Sequence, residues 1–236
     1  MAANRKLINR VRAVLKEAAE PAKAPGMQAY MKSVMPFMGT SAGPLRKATH
    51  AAYKEFPLDT FADWRDTALA LWRGATFREE RYAAQELLAY KKYAPFQTPA
   101  CMPIYEELIV DGAWWDHVDD IAVHRIGPLL VEYRDEIEPI MRAWCTDDDL
   151  WLRRTAIICQ VGAKGEIDLR LLYDCIEPNM GDTEFFIRKA IGWALRSHAW
   201  LNPAEIARYI AANEDRLSGL SKREALKNIA SGKLRA

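Results

Sequence analysis

Residues that could do chemistry are concentrated in one octapeptide, Ala113-Trp114-Trp115-Asp116-His117-Val118-Asp119-Asp120. It lies within a stretch of helical pattern, where Trp115 and Asp119, four residues apart, share a face. A ring face beside a carboxylate attracts positive charge, so the pair could hold something cationic. Burial of such a carboxylate without a partner would be costly. A plainer reading stands beside this one: paired tryptophans pack cores, and acids in such helices are usually solvated. Trp114 points about 100° away from Trp115 and is expected to pack inward. Trp64, Trp72, Trp144, Trp151 and Trp200 fall in amphipathic patterns and read as structural.

The elements that must position these residues all read as helices. Apolar positions recur at helical spacing in Asn4–Glu20, Met27–Met38, Ser41–Phe56, Thr60–Arg73, Thr76–Tyr93 and Thr98–Val110. The pattern continues in Ala113–His124, Pro128–Tyr133, Asp135–Trp144, Leu150–Val161, Asp168–Ile176, Thr183–Trp200, Pro203–Asn213 and Ser221–Ile229. Pro21 to Gly26 reads as a break. Ser41, Asn202 and Ser221 are candidate N-caps, and Thr76 with Glu79 has capping-box spacing. No segment shows sustained strand alternation. The tail from about 231 is expected to fray.

A dozen or so short helices with tight breaks predict an αα-repeat. Basic residues enter Ala-rich helices at Lys47, Arg81, Arg154, Lys189 and Arg223, separated by 34, 73, 35 and 34 residues. The long gap is two periods, and Asp119 falls where the missing member belongs. The expected fold is therefore all-α, a HEAT-like αα-repeat solenoid with a concave groove, in a single domain over residues 1–236. Regularly spaced cations suit a phosphate backbone. A lone acid among them points to a cationic target, or else Asp119 simply pairs with Arg154 or Arg81. Basic residues at helix starts are also common in their own right.

Composition narrows the classes. The chain has 236 residues, half of them hydrophobic, and a net charge of +1. That small net charge hides +7 over residues 1–50, −10 over 51–150 and +4 over 151–236. Two basic ends around an acidic middle could grip a polyanion, although a mixed solvated surface gives the same sums. No run of about 18 apolar residues is present and no secretory pattern opens the chain, so a membrane partner is not expected. Cys101, Cys145, Cys159 and Cys175 form no C-x-x-C pair and read as reduced thiols of a cytoplasmic protein. Among the four histidines, His117 and His124 are seven apart, but no third ligand has suitable spacing. Neither metal nor cofactor is expected.

Five stretches, in order over roughly residues 20 to 230, resemble the AlkD-type DNA alkylation-repair glycosylases, which are built of HEAT-like repeats. They are Met27–Lys32, Tyr105–Val110 running into Trp114–Asp119, Leu150–Ile157, Glu184–Arg196 and Leu220–Ala225. The resemblance implies hydrolysis of the N-glycosidic bond of cationic N3- and N7-alkylated purines in double-stranded DNA, by a monofunctional enzyme acting without a base pocket. It places functional residues on the second Trp and last Asp of W-W-D-x-V-D, the Arg of W-L-x-R and the Trp of K-A-I-G-W. Here these are Trp115, Asp119, Arg154 and Trp193. Tyr30 and Arg196 would lie at the DNA surface. The chain departs from the family at Gln160-Val161-Gly162-Ala163, where lysine is frequent and Lys164 comes slightly later, and in the loop Gly39 to Gly43.

The competing class is a non-catalytic repeat protein that binds DNA structures or lesions. The quartet discriminates, because a pure binder has no reason to set a carboxylate opposite phosphates. A peptide-binding scaffold would instead want an apolar groove. A monomer is expected to suffice.

Overall fold

A computed structural model describes residues 3–233, and all regular structure among them is helical. The expected fraying of the tail lies, from residue 234 on, outside the described residues. Internal contacts divide the chain into two compact units, one ending at Phe96 and the other beginning at Gln97.

The first unit contains α1 (Arg5–Glu17), α2 (Ala24–Met31), α3 (Ala42–Glu55), α4 (Phe61–Arg73) and α5 (Arg78–Ala89). The apolar stripe of α1 (Leu7, Ile8, Val11, Val14 and Leu15) is buried as its spacing predicts. Asn4 caps this helix, its Oδ1 accepting the Leu7 N–H at 3.0 Å. α1 packs against α3, α4 and α5. Trp64, Trp72, Tyr53 and Tyr93 are fully buried in this unit, and Trp64 donates its indole N–H to the Leu87 carbonyl at 3.1 Å.

Two local expectations are corrected here. The second helix begins at Ala24, not Met27, and ends at Met31, with Lys32 in the left-handed region at φ 49°. Pro25 falls in its first turn, where a missing N–H costs nothing, so the proline starts the helix instead of breaking it. The Thr76–Glu79 capping box does not form. Thr76 donates its N–H and hydroxyl to Glu80, while Glu79 accepts the backbone N–H groups of Met38, Gly39 and Thr40 at 2.8–3.1 Å. Buried N–H groups are costly to leave unpaired, and the incoming loop offers three at once.

The second unit runs through α6 (Met102–Gly112), α7 (Trp115–Ile121), α8 (Gly127–Glu132), α9 (Arg134–Trp144), α10 (Leu150–Ile158), α11 (Leu169–Ile176), α12 (Phe185–Ala199), α13 (Pro203–Ala212) and α14 (Gly219–Ala230). α7 contacts α10, α10 contacts α12, and α12 contacts α14. Helices one period apart in sequence therefore meet, as a repeat requires. Asn202 caps α13 as expected, but α14 is capped by Ser218. Ser221 lies one turn inside, and its hydroxyl donates to the Arg188 carbonyl at 2.9 Å, tying α14 to α12. Trp144 and Trp151 are buried as expected; Trp200, expected to be structural, is 59% exposed at the end of α12. The four cysteines are free and buried.

α7 and α8 are not separated by a break. A π-helical turn, Ala122–Ile126, joins them into one continuous rod over residues 115–132. Pro128 removes a donor from the helical ladder, and the wider turn just before it absorbs the mismatch. The rod also lies very close to the end of α10: a Cβ on Gly127 would sit 2.5 Å from the Cys159 carbonyl oxygen. No helix among the described residues is long and apolar enough to cross a membrane.

Gly127→Ala should therefore force α8 and the end of α10 apart. A loss of about 1–3 kcal/mol is expected, typical of overpacking. Urea unfolding beside wild type measures it, and an unchanged midpoint would show that the backbone yields there freely.

Candidate functional site

Trp115 opens α7 and Asp119 follows one turn later; Arg154 comes from α10 and Trp193 from α12. The structure brings Asp119 and Arg154 into direct contact. Arg154 Nε donates to Asp119 Oδ1 and an Nη donates to Oδ2, each at 2.8 Å. This is the two-pronged fork that suits guanidinium to carboxylate. The other Nη donates to the Phe186 carbonyl at 2.6 Å, and the guanidinium carbon lies 5.8 Å from the Phe186 ring centroid. All three nitrogens of Arg154 are thus used within the protein, and its side chain is only 6% exposed. Of the two partners offered by the sequence, Arg154 is the one bonded to Asp119.

Asp119 is more open than its partner, with 18% of its side chain exposed. Burial pushes its carboxyl above the usual carboxylate value, Arg154 pulls it back by hydrogen bond and charge, and Asp116, one turn earlier, adds a smaller upward push. The net direction is up. The two-pronged bond to Arg154 is the counterweight that favours the ionised form. Trp115 and Trp193 are both half-buried, on helices that each pack against α10.

An aromatic cluster backs the pair. Trp114, Trp151 and Phe186 meet with ring centroids 4.9–6.1 Å apart, so Trp114 packs on its neighbours as expected. Phe186 was not singled out by sequence, since a backbone carbonyl leaves no residue-type signal.

The remaining sequence candidates fall in different settings. In the first unit, Tyr30 on α2 is 72% exposed, Lys47 on α3 is exposed, and Arg81 on α5 lies with its guanidinium carbon 4.6 Å from the Trp72 ring centroid. In the second unit, Arg223 is exposed on α14. Lys189 and Arg196 both reach Glu224: the lysine Nζ lies 2.8 Å from Oε1, and the arginine donates to Oε2. Glu224 was also not singled out. It stands 35 residues after Lys189, as Arg154 stands 35 after Asp119, so the repeat period itself carries the signal. Its carboxyl is held below the usual range, chiefly by Lys189 and then Arg196, against the effect of burial. That depressed value makes the clamp stabilising above the ordinary glutamate range and lost as pH falls through the folded value.

Gln160, at a position where lysine is frequent in the resembling family, is a brace. Its amide donates to the Asp168 carbonyl at 3.0 Å and accepts the Asp168 N–H at 2.7 Å. The Lys164 side chain lies outside the described residues. No group of three or more His, Cys, Asp or Glu residues that could hold a metal occurs among the described residues.

Arg154→Met should leave Asp119 buried without its counter-charge. The expected loss is about 3–5 kcal/mol at neutral pH. A carboxyl with a raised folded value favours the neutral form, so its ionisation costs stability as pH rises. The variant's deficit should accordingly shrink as pH falls and Asp119 takes up a proton. Urea unfolding at neutral and acid pH checks this, and a deficit independent of pH would place the damage elsewhere.

The DNA alkylation repair enzyme family matches residues 11–229 of the chain. A solved structure described as a predicted DNA alkylation repair enzyme from Enterococcus faecalis is similar, with a TM-score of 0.74 and 28% identity. The match covers 90% of this chain and 97% of that one. No curated protein is significantly similar. A match over nearly the whole length of an all-helical chain carries the assignment: the chain belongs to the DNA alkylation repair enzyme family.

Proposed function

We propose that this protein is a monofunctional DNA glycosylase that hydrolyses the N-glycosidic bond of cationic N3- and N7-alkylated purines in duplex DNA. The observation that carries the reading is Asp119: a partly open carboxylate one turn after Trp115, held by a buried arginine on α10, the helix that also packs against the one carrying Trp193. Alkylation at N3 or N7 leaves the purine positively charged, so it departs with little acid catalysis. What the protein must supply is negative charge against the developing oxocarbenium ion of the sugar and a placed water. Asp119 provides the charge and orients the water, and the two indole faces favour the same cation.

Arg154 acts here as a positioning residue, because its nitrogens are used on Asp119 and the Phe186 carbonyl. A carboxylate free to rotate would spend part of its time away from the sugar; the two-pronged bond holds both oxygens. Tyr30, Lys47, Arg81, Lys189, Arg196 and Arg223 supply the backbone contacts. The chain works as a monomer in the cytoplasm and engages the lesion's sugar without extruding the base into a pocket. That mode accepts cationic lesions and leaves neutral ones; rapid release of hypoxanthine or uracil would contradict it.

Incubation with duplex DNA carrying one 7-methylguanine, with base release and abasic sites measured, tests the reading. Asp119→Asn should lower the excision rate about 10²- to 10³-fold, the usual worth of one well-placed electrostatic group. Unchanged excision by this variant would remove Asp119 from the chemistry. Binding without release by wild type would make the protein a DNA-binding repeat and not an enzyme.

A further inference from the structure

Glu224 joins two cations that the proposed DNA contact needs. On α12, Lys189, Trp193 and Arg196 stand four and three residues apart, which places all three within an arc of about 60°. The two basic residues therefore lie one turn before and one turn after Trp193, on its own face. Glu224 reaches across from α14 and gives one oxygen to each: Oε1 to Lys189 at 2.8 Å and Oε2 to Arg196.

The approach is built into the backbone. A Cβ on Gly192 would lie 2.5 Å from Glu224 Cβ and 2.9 Å from the Ser221 carbonyl oxygen, so only glycine lets α14 come this close. The bond from the Ser221 hydroxyl to the Arg188 carbonyl holds the two helices at that distance. The carboxylate is thus fixed in place, while the cations stay in reach of solvent, at 38% exposed for Lys189 and 23% for Arg196. The Asp119–Arg154 pair differs, since its arginine is buried and has a further bond to a carbonyl.

A carboxylate and a phosphodiester share two features: one negative charge and two terminal oxygens able to accept from two donors at once. We propose that Glu224 is an internal stand-in for a DNA phosphate, holding Lys189 and Arg196 in place beside Trp193 and yielding them to the backbone when duplex binds. The inference rests on the reading of this chain as a duplex-binding repair protein. Glu224 is a positioning residue that sets affinity, because the cations it releases must exchange one anion for another. Without it they are free to take the phosphate outright.

The test is the affinity of the full chain for an unmodified labelled duplex, followed by fluorescence anisotropy over a range of salt concentrations. Glu224→Gln should bind more tightly at low salt. Its log–log salt dependence should be steeper by roughly 0.9, the effect of one more phosphate contact, or about eightfold extra affinity per tenfold drop in salt. Glu184→Gln, which deletes an equal charge at the start of the same helix, should leave the slope near that of wild type. Glu224→Asp keeps the charge but is one methylene too short to span both cations, and should fall between wild type and Glu224→Gln. It also serves if Glu224→Gln fails to fold. An unchanged slope, weaker binding by Glu224→Gln, or an equal gain from Glu184→Gln would overturn the proposal. If wild type does not bind duplex even at low salt, the DNA-binding reading falls and takes this inference with it.

Discussion

The second unit depends on the contact between a partly exposed carboxylate and a buried guanidinium. Arg154 could not remain buried without anionic and carbonyl partners, and Asp119 and Phe186 supply them. The converse also holds, because burial disfavours the ionised form of Asp119 and the arginine opposes that push. Each charge is tolerable only because the other is there. Three helices therefore keep a fixed relation: α7 carries the acid, α10 the base and α12 the carbonyl. Trp114, Trp151 and Phe186 pack together beside the pair, with the Phe186 ring against the guanidinium.

A second pair uses the same construction two periods later, with the opposite polarity. In the first, the acid comes from the earlier helix and the base from the later; in the second, Lys189 precedes Glu224. Both are contacts between helices 35 residues apart in sequence. They differ in depth. The arginine of the first pair is buried and bonded through all three nitrogens within the protein, while the cations of the second keep exposed surface. Depth separates a fixed charge arrangement from one that a ligand can rearrange.

Close approach between helices makes both possible, and small residues at two crossings permit it. Gly127 lets the rod that carries Asp119 lie on the end of α10, and Gly192 lets α14 lie on α12. The π turn at Ala122–Ile126 lies directly after α7 in the same rod, where local distortion accommodates Pro128 without ending the helix.

Much of this was legible in sequence because helical periodicity is local. The buried stripe of α1, the cap at Asn202, the all-helical class and the 34–35 residue period follow from spacing alone. The period also put Asp119 and Arg154 in register before any coordinates. Where local signals compete, spacing was not enough. Thr76 and Glu79 have capping-box spacing, yet three N–H groups from a distant loop captured the glutamate; Ser221 has a cap's chemistry, yet the neighbouring Ser218 took the role. Ala113–His124 and Pro128–Tyr133 read as two segments, but a π turn joined them into one rod. Only the tertiary structure decided which cation Asp119 would bond, that the Phe186 carbonyl would hold Arg154, and that one glutamate would join Lys189 to Arg196. The physical reason is common to all three. A charged or polar group brought out of water must be satisfied by whatever donor or acceptor the folded chain places within reach, and that neighbour is set by helix packing, not by adjacency along the sequence.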